Sequence, residues 1–331
     1  MFLTVIVPVY NVEDYIKRCI LSIINNDLDI ANYEIIVVDD ESPDNSKEIV
    51  KELAIIYPQI QLISQKNKGL GGARNTGILN AKGKYVLFLD SDDLLVEGVL
   101  GRLEQIIRLQ EEPDILEYSF SNVTQDQNVV LKYTAKELMD NIPGIEYYNN
   151  ALNFVPSACN KLYRSSFLRD NKLLFKERIY SEDFEFNTRA FFYAKTVNAT
   201  DLEVSHFIQT TNSITRNDNF STQLKLVNDL FIILKFILSF EKNVSSYSDL
   251  ENIFFKERLS LLNVNIIFQA IKYKFSYNKI KELKKQLIDE ELYFIDYPIR
   301  DRKKNFFRII IKNQFYFLRL YLLLNSVLKK K

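Results

Sequence analysis

The chain has 331 residues, and 47% of them are apolar, which is enough for a buried core and excludes a wholly disordered protein. It carries 43 basic and 43 acidic residues, so its net charge gives no reason to expect nucleic acid as a partner. Cys19 and Cys159 are its only cysteines, which argues against a disulfide-stapled fold and suits a reducing cytosol. No signal peptide is recognisable in the first residues, so we expect the protein to stay inside the cell.

The first ninety residues alternate between predicted strands and predicted helices. Residues 4–9 form an apolar, β-branched run that is typical of a strand buried on both faces. Strands separated by helical segments predict βαβ units in a mostly parallel sheet, and therefore an α/β fold. The predicted elements that follow are a helix over 16–24, a strand over 34–39, a helix around 49–56, a strand over 60–64, a helix near 73–81 and a strand over 84–89.

The rest of the chain changes character twice. Residues 113–211 mix predicted strands and helices, which suits an α+β extension of the same domain. From about residue 219 the pattern is almost wholly helical until Pro298. We therefore predict an α/β domain over 1–218 and a helical C-terminal region over 219–331.

Three carboxylates, Asp90, Asp92 and Asp93, stand within four residues directly after the strand predicted at 84–89. Such a group repels itself unless a cation or hydrogen-bond donors compensate the charge. Its oxygens suit Mg²⁺ or Mn²⁺, which bind one or two carboxylates together with substrate phosphates. A helix N-cap followed by acidic residues in the first turn is the alternative. We predict a metal site here, in the crevice at the carboxyl ends of the strands where such sheets bind ligands.

Two further acidic pairs allow two interpretations each. Asp39 and Asp40 end the second predicted strand, where a carboxylate can bind a nucleotide base or ribose, although acids are also common in turns. Glu182 and Asp183 open a predicted helix, where acids complement the helix dipole. A carboxylate at that place could also be the general base that removes the proton of an attacking hydroxyl.

The glycine-rich segment 68–75 does not fit a dinucleotide-binding loop. The pattern G-x-G-x-x-G would need glycine at position 74, where the chain has Arg74, and the segment follows the third predicted strand instead of the first. A flexible loop leading into a helix whose N-terminus and Arg74 face an anion fits better. A loop with an exposed arginine is the alternative.

Four segments follow one another along the first hundred residues, namely Val7-Pro8-Val9-Tyr10-Asn11, Val37-Val38-Asp39-Asp40-Glu41-Ser42, Gly69-Leu70-Gly71-Gly72-Ala73-Arg74-Asn75 and Phe88-Leu89-Asp90-Ser91-Asp92-Asp93. Together they resemble the family-2 glycosyltransferases of the GT-A fold. The later segments Asn160-Lys161-Leu162-Tyr163-Arg164 and Ser181-Glu182-Asp183 resemble a bacterial subgroup that builds cell-surface polysaccharides. The resemblance covers about residues 1–215 and implies a Rossmann-like mixed sheet flanked by helices, with a helical C-terminal extension.

The resemblance also implies roles for individual residues. The nucleotide-sugar would bind within 1–110 and the acceptor within 111–218. Asp183 would be the catalytic base, with Glu182 beside it, and Mn²⁺ or Mg²⁺ would be bound by Asp92 or Asp93, with a neighbouring acid on the ribose. The residues implied to bind the nucleotide-sugar are Pro8, Tyr10 and Asn11 near the base, Asp40 on the base with Asp39 in support, Arg74 near the diphosphate, and Asp90 and Asp92 of the DxD element.

The implied activity is metal-dependent, inverting transfer of a hexosyl or N-acetylhexosaminyl group from a nucleotide-sugar, most often a UDP-sugar. The acceptor would be a hydroxyl of a glycan or lipid-linked glycan in polysaccharide, capsule or lipopolysaccharide synthesis. A non-catalytic sugar-nucleotide-binding or scaffold protein of the same fold is the alternative.

Two departures from the subgroup stand out. Cys159 replaces an aromatic residue that usually precedes Asn160-Lys161. Residues 206–209 replace a Tyr- and Arg-rich segment before Ser213-Ile214, so an arginine that would help to hold the leaving diphosphate is missing. His206, the only histidine, is predicted as a metal ligand in its place, with simple packing as the alternative.

Residues 300–331 contain ten Lys or Arg residues and one acid, Asp301, among many aromatic and aliphatic residues. Arg308, Lys312 and Arg319 interrupt the apolar run, so we predict no transmembrane helix. A basic, aromatic-rich helix lying in the bilayer interface is predicted instead, with Lys329–Lys331 facing anionic lipid. The alternative is a helix that packs on the protein itself or on the second subunit of a homodimer.

Overall fold

The chain divides into two compact units. One comprises residues 1–147 and 155–216, and the other comprises residues 148–154 and 217–331. The computed structural model describes residues 1–136, 138–150, 155–210, 219–246, 248–313 and 315. The first unit contains the sheet, and the second unit contains the helices of the C-terminal region between residues 220 and 313.

Four parallel strands in the order β3-β2-β1-β4 form one half of the sheet. All seven residues of β1 and of β2 are buried, because helices cover both faces of this part of the sheet. The predicted βαβ succession is confirmed. The elements are β1 (Leu3–Val9), α1 (Ile16–Ile24), β2 (Tyr33–Asp39), α2 (Ser46–Ile56), β3 (Ile60–Ser64), α3 (Gly69–Asn80) and β4 (Tyr85–Phe88).

The other half of the sheet is mixed. β9 lies antiparallel between β4 and β6, and β10 runs parallel to β6, so β4, β6 and β10 all end at the same edge where β9 begins. The other side of β10 pairs with β8 and β5. The elements are β5 (Leu94–Leu95), α4 (Leu100–Leu109), β6 (Ile115–Val123), β7 (Val129–Tyr133), β8 (Leu138–Ile142), α5 (Gly144–Asn150), β9 (Lys161–Arg164), α6 (Ser165–Asp170), α7 (Glu182–Tyr193) and β10 (Val197–Ile208).

Helix α3 begins at Gly69, so the prediction of a flexible loop leading into a helix near Ala73 is wrong. Gly69, Gly71 and Gly72 belong to the first turn of the helix. This turn packs closely on residues 175–178, which lie between α6 and α7. A Cβ on Gly71 would lie 2.5 Å from the carbonyl oxygen of Lys176. Asp40 holds this end of the helix, because its carboxylate accepts hydrogen bonds from the backbone N–H groups of Lys68 (2.9 Å) and Gly69 (2.8 Å).

The second unit consists of helices α8 (Phe220–Asn243), α9 (Asp249–Lys272), α10 (Tyr277–Asp289) and α11 (Arg302–Asn313). Helix α9 starts with a capping box in which Ser248 and Glu251 satisfy each other's backbone N–H groups. Arg300, just before α11, pairs with Glu257 of α9 at 2.6 Å and lies over the ring of Tyr148. Within the described residues, no helix is long and apolar enough to cross a membrane.

Candidate active site

A crevice of about 210 Å³ opens at the edge of the sheet where β4, β6 and β10 end and β9 begins. The chain reaches this edge from four separate segments, so residues far apart in the sequence share one wall. The tertiary fold therefore brings these lining residues together, and no single segment of the sequence contains them all. The lining residues are Asp90, Asp92, Asp93, Asn122, Ser157, Cys159, Phe207, Ile208 and Gln209.

The three predicted metal-binding acids all lie in this crevice. Asp93 is buried and accepts a hydrogen bond from the backbone N–H of Ile208 at 2.7 Å, which ties it to the end of β10. Asp92 accepts one from the hydroxyl of Thr210 at 3.3 Å. Burial, followed by the negative charges of Asp92 and Asp90, raises the pKa of Asp93 well above its ordinary value. The crevice therefore carries an excess of negative charge that a bound cation would relieve.

The chemistry of this donor set fits a divalent cation, because Asp92 and Asp90 offer partly exposed carboxylate oxygens into the crevice. No three His, Cys, Asp or Glu side chains of the described residues converge as a ready-made metal site. His206 lies on β10 with its Nε2 3.3 Å from Glu203 Oε1, and it is not among the residues that line the crevice. Its role as a metal ligand stays a prediction.

Arg74 is the centre of the charge network beside the crevice. Its Nη1 donates to Glu182 (2.8 Å) and Asp183 (2.6 Å), and its Nη2 donates to Asp90 (2.8 Å). The residue is only 1% exposed, so the alternative of an exposed arginine is wrong. The guanidinium joins one acid of the DxD element to the predicted base. Its predicted contact with a diphosphate stays a prediction.

Cys159 touches the same guanidinium, with its Sγ 3.4 Å from Arg74 Nη2. Burial, together with the charge of Asp90, raises the pKa of this thiol, so it stays neutral at physiological pH. From the sequence, Cys159 was recognised only as a replacement of the aromatic residue that is usual in the subgroup. The structure shows that it lines the crevice.

Asp183 is the second residue of α7, which begins directly after Ser181, whose φ of 61° is in the left-handed region. One carboxylate oxygen accepts from Arg74, and the other accepts from the backbone N–H of Ala158 at 3.0 Å. The side chain is still 22% exposed, whereas that of Glu182 is 6% exposed. Burial raises the pKa of both carboxyl groups. A partly exposed carboxylate of raised basicity, held by two donors, can accept a proton from a ligand.

Lys161 was matched to the subgroup without a predicted role, and the structure supplies one. Its side chain is fully buried, and its Nζ donates to the carbonyl oxygens of Val155 (2.9 Å) and Ser157 (2.8 Å) and to the side chain of Asn160 (2.7 Å). These bonds fix the segment whose Ala158 N–H group holds Asp183. Lys161 therefore orders the loop behind the candidate base.

The residues predicted to bind the nucleotide base lie at the neighbouring ends of β1 and β2. Val9 pairs with Asp39, and Pro8 is buried in β1. Tyr10 is 53% exposed and is followed by Asn11 with a φ of 57°. The exposed residues Tyr10 and Asn11 therefore follow β1 next to the end of β2, where Asp39 and Asp40 are buried.

Those two acids already have protein partners. Asp39 accepts from the backbone N–H of Ser42 at 3.0 Å and lies 3.7 Å from the ammonium group of Lys47. Asp40 accepts from the side chain of Gln65 at 2.7 Å in addition to its bonds to α3. The structure brings Asp39 and Asp40 to the predicted edge, and their contact with a base stays a prediction.

The chain matches the model of "Glycosyl transferase family 2" over residues 4–171. It belongs to glycosyl transferase family 2. Over 217 residues it is 34% identical to the "Uncharacterized glycosyltransferase EpsJ" of Bacillus subtilis, covering 64% of this chain and 62% of that protein. It is also 31% identical to the "Poly(ribitol-phosphate) beta-glucosyltransferase" of Bacillus spizizenii, covering 60% of this chain and 31% of the relative. The matches thus span about three-fifths or less of the relatives' length.

Solved structures share the fold. Staphylococcus aureus TarS 1–349 in complex with UDP-GlcNAc aligns with a TM-score of 0.66 at 23% identity, covering 90% of this chain and 79% of that one. A mannosyltransferase from Pyrobaculum calidifontis in complex with GDP-Man and Mn²⁺ aligns with a TM-score of 0.54 at 14% identity, covering 98% and 86%. The predicted GT-A fold with a helical C-terminal extension is confirmed.

Proposed function

We propose that this family member is an active, inverting glycosyltransferase that moves a sugar from a nucleotide-sugar to an acceptor hydroxyl. One observation supports this proposal above the others. Arg74 holds Asp90 of the DxD element and the candidate base Asp183 on a single guanidinium, at the edge of the crevice. Such a link places a proton acceptor beside the acids expected to bind the donor.

A UDP-sugar is the donor we propose, with a hexosyl or N-acetylhexosaminyl group to transfer. Support comes from the TarS structures, which are complexes with UDP-GlcNAc and with UDP. The acceptor we propose is a glycan or lipid-linked glycan of a surface polysaccharide, capsule or lipopolysaccharide. The beta-glucosyltransferase named for poly(ribitol-phosphate) is a relative that supports a cell-surface polymer.

The proposed cofactor is Mn²⁺ or Mg²⁺, held by Asp92 together with Asp93 or Asp90. When bound, the cation would supply positive charge that stabilises the leaving diphosphate. The Mn²⁺ complex of the mannosyltransferase supports this choice of ion. His206 stays a predicted third ligand, with its Nε2 3.3 Å from Glu203 Oε1.

Asp183 is the group that moves the proton in the proposed reaction. Its carboxylate takes the proton of the acceptor hydroxyl as that oxygen attacks the anomeric carbon from the face opposite the diphosphate. The bond from the anomeric carbon to the phosphate oxygen breaks, and its electron pair stays with the diphosphate. A single displacement inverts the configuration, so an α-linked donor gives a β-linked product.

The proposal assigns donor binding and transfer to residues 1–218, and leaves 219–331 as a helical region. It also places the protein on the inner face of the membrane through residues 300–331. In α11, exposed Phe306 and Ile309 stand among the exposed cations Arg302, Lys303 and Lys312, as expected for an interfacial helix. Residue 314 and residues 316–331, including Lys329–Lys331, lie outside the described residues.

A donor screen tests the proposed function. Purified protein is incubated with Mn²⁺ or Mg²⁺ and a panel of nucleotide-sugars, and release of the nucleoside diphosphate is measured. The proposal predicts release from one UDP-sugar that is lost in the Asp92→Asn/Asp93→Asn variant. Nucleotide binding with no release from any donor, in the presence of candidate acceptors, would favour the non-catalytic scaffold.

A further inference from the structure

Asn122, Phe207 and Gln209 line the crevice at the ends of β6 and β10, and the proposed reaction uses none of them. Phe207 pairs with Asn122 in the parallel ladder between the two strands. Gln209 follows two residues later, and its backbone N–H donates to the carbonyl oxygen of Val123 at 2.8 Å, which continues the ladder. Paired residues, and residues two apart along a strand, project from the same face of a sheet. The three side chains therefore form one surface, which we call the β6–β10 surface.

The ring of Phe207 is held in place from behind. Its centroid lies 4.3 Å from that of Phe120 with the planes 25° apart, and Phe120 stacks in the same way on Tyr133 at 5.1 Å. The Tyr133 hydroxyl donates to the fully buried Glu117 at 2.7 Å, which anchors the far end of this row. Because Phe120 covers one side of the Phe207 ring, the ring meets the crevice with its other side. It is therefore a rigid apolar platform beside the acids of the DxD element.

Two side-chain amides next to this ring are available to a ligand. Among the residues that the structure describes, none is hydrogen-bonded to the side chain of Asn122 or to that of Gln209. Asn122 is partly buried, and Gln209 is exposed. Each amide offers one oxygen acceptor and two N–H donors. The β6–β10 surface thus joins an apolar ring to groups that can both donate and accept hydrogen bonds.

A sugar ring has the properties that match this surface, because its faces carry C–H groups and its rim carries hydroxyl groups. A phosphate has no apolar face, and the three carboxylates that line the same crevice would repel it. Ligand sites commonly combine an apolar lining with a few polar groups that fix orientation. We propose that the β6–β10 surface is a sugar subsite, in which a pyranose ring lies on Phe207 while Asn122 and Gln209 bind its hydroxyl groups.

The order of the strands indicates which sugar lies there. The residues predicted to bind the base are at the ends of β1 and β2, and the DxD element follows β4, so the proposed donor lies along the edge from β2 to β4. In the sheet, β6 is three strands beyond β1, a distance of roughly 14 Å at the usual strand spacing. The subsite is therefore that of the acceptor sugar, which attacks from the side away from the diphosphate. This inference rests on the proposed function.

The test titrates simple sugars into the protein and follows binding by saturation-transfer NMR. The probes are the methyl glycosides of glucose, galactose, mannose, N-acetylglucosamine and N-acetylgalactosamine, with the donor site filled by saturating UDP and Mg²⁺. The variants are Phe207→Leu, which keeps an apolar side chain but loses the flat ring, and Asn122→Ala/Gln209→Ala, which removes both amides. Gln125→Ala is the control, because it removes an exposed amide between β6 and β7 that does not line the crevice.

We expect the glycoside that binds best to lose about fivefold or more of its affinity in Phe207→Leu, since an aromatic contact is lost. The loss of hydrogen bonds to two amides should weaken binding about tenfold in Asn122→Ala/Gln209→Ala. The control should bind as the natural protein does. Calorimetry with UDP shows whether each variant is folded, because the UDP affinity should stay the same in all of them.

A second measurement separates the acceptor sugar from the sugar of the donor. Calorimetry compares UDP with the UDP-sugar that the donor screen selects, in the natural protein and in Phe207→Leu. A subsite for the acceptor leaves the ratio of these two affinities unchanged. A selective fall in the affinity for the UDP-sugar would place the donor's sugar on Phe207 and would overturn the inference.

The inference and the proposed function fail in different ways. If the natural protein binds UDP but none of the glycosides, or if both variants bind them as tightly as the control, the inference is wrong and the proposed function stands. If the natural protein neither binds UDP nor releases a nucleotide from any donor, the proposed function is wrong.

Discussion

Arg74 is the cation that contacts Asp90, Glu182 and Asp183 directly. It is nearly fully buried and contacts three carboxylates, of which Glu182 is the most deeply buried. These partners are 16, 108 and 109 residues away in the sequence. The motif containing Arg74 could be recognised from the sequence, but its partners could not, because tertiary folding brings them together.

Replacing Arg74 by methionine leaves these carboxylates without their cation in a buried place. Removing one partner of a buried ion pair costs about 3–5 kcal/mol, so we expect the free energy of unfolding to fall by about that amount. Urea unfolding measures it. The control is Arg108→Met, which breaks an exposed pair with Glu104 and should leave the midpoint unchanged. Equal midpoints for Arg74→Met and the natural protein would contradict the assignment.

The raised pKa of Asp183 predicts the pH dependence of catalysis. Only the deprotonated carboxylate accepts a proton, so kcat/KM falls as the pH falls through this pKa. Because burial raises it, the acid limb should lie above the ordinary aspartate value of about 3.9. The same shift makes the contribution of this group to stability decrease as the pH rises between its unfolded and folded pKa values. A pH–rate profile with its acid limb at or below pH ~4 would contradict the prediction.

At the scale of elements, α3 shows why local pattern and structure disagree. The run of glycines predicts a flexible loop, because glycine lowers helix propensity. The segment is helical because Asp40 caps it and because Gly71 permits close contact with Lys176. Neither reason is visible in the segment itself, since both partners lie elsewhere in the chain.

Gly71→Ala tests this packing. Alanine favours a helix by roughly 0.5–1 kcal/mol, but its Cβ would clash with the backbone carbonyl of Lys176, which cannot rotate away as a side chain can. Overpacking of this kind costs about 1–3 kcal/mol, so we expect a net loss of stability in thermal or urea unfolding. Leu79→Ala, at an exposed site of the same helix, serves as the control. A stabilised Gly71→Ala protein would show that the contact is unimportant.

At the scale of the whole molecule, the sequence predicted the parallel half of the sheet better than the mixed half. Strands β1, β2 and β4 are buried, mostly apolar runs, and helices separate the four strands β1 to β4 along the chain, which is the pattern of a βαβ fold. Strands β9 and β10 join the sheet from distant parts of the chain, and a pattern within 161–164 or 197–208 does not reveal which strand each will pair with. The crevice depends on that pairing, so its lining could be predicted only in part.

The proposed membrane contact is also a property of the whole molecule. Phe306→Glu/Ile309→Glu changes two exposed side chains of α11, so the fold should be kept. We expect binding to anionic lipid vesicles to fall more than tenfold, because burying such a side chain contributes about 1.5–3 kcal/mol. Vesicle sedimentation measures this. The control is Leu250→Glu/Ile288→Glu, at exposed apolar sites of α9 and α10. Equal loss in both variants, or in neither, would contradict a contact through α11.

The most direct test of the central claim measures turnover and nucleotide binding together in Asp183→Asn. The claim is that Asp183 removes the acceptor proton in an active transferase. A general base contributes about 10²- to 10⁴-fold, so we expect release of UDP from the preferred donor to slow by that factor. UDP affinity should stay the same, because Asp183 is not part of the proposed donor site. Full turnover by Asp183→Asn, with UDP still bound, would contradict the account.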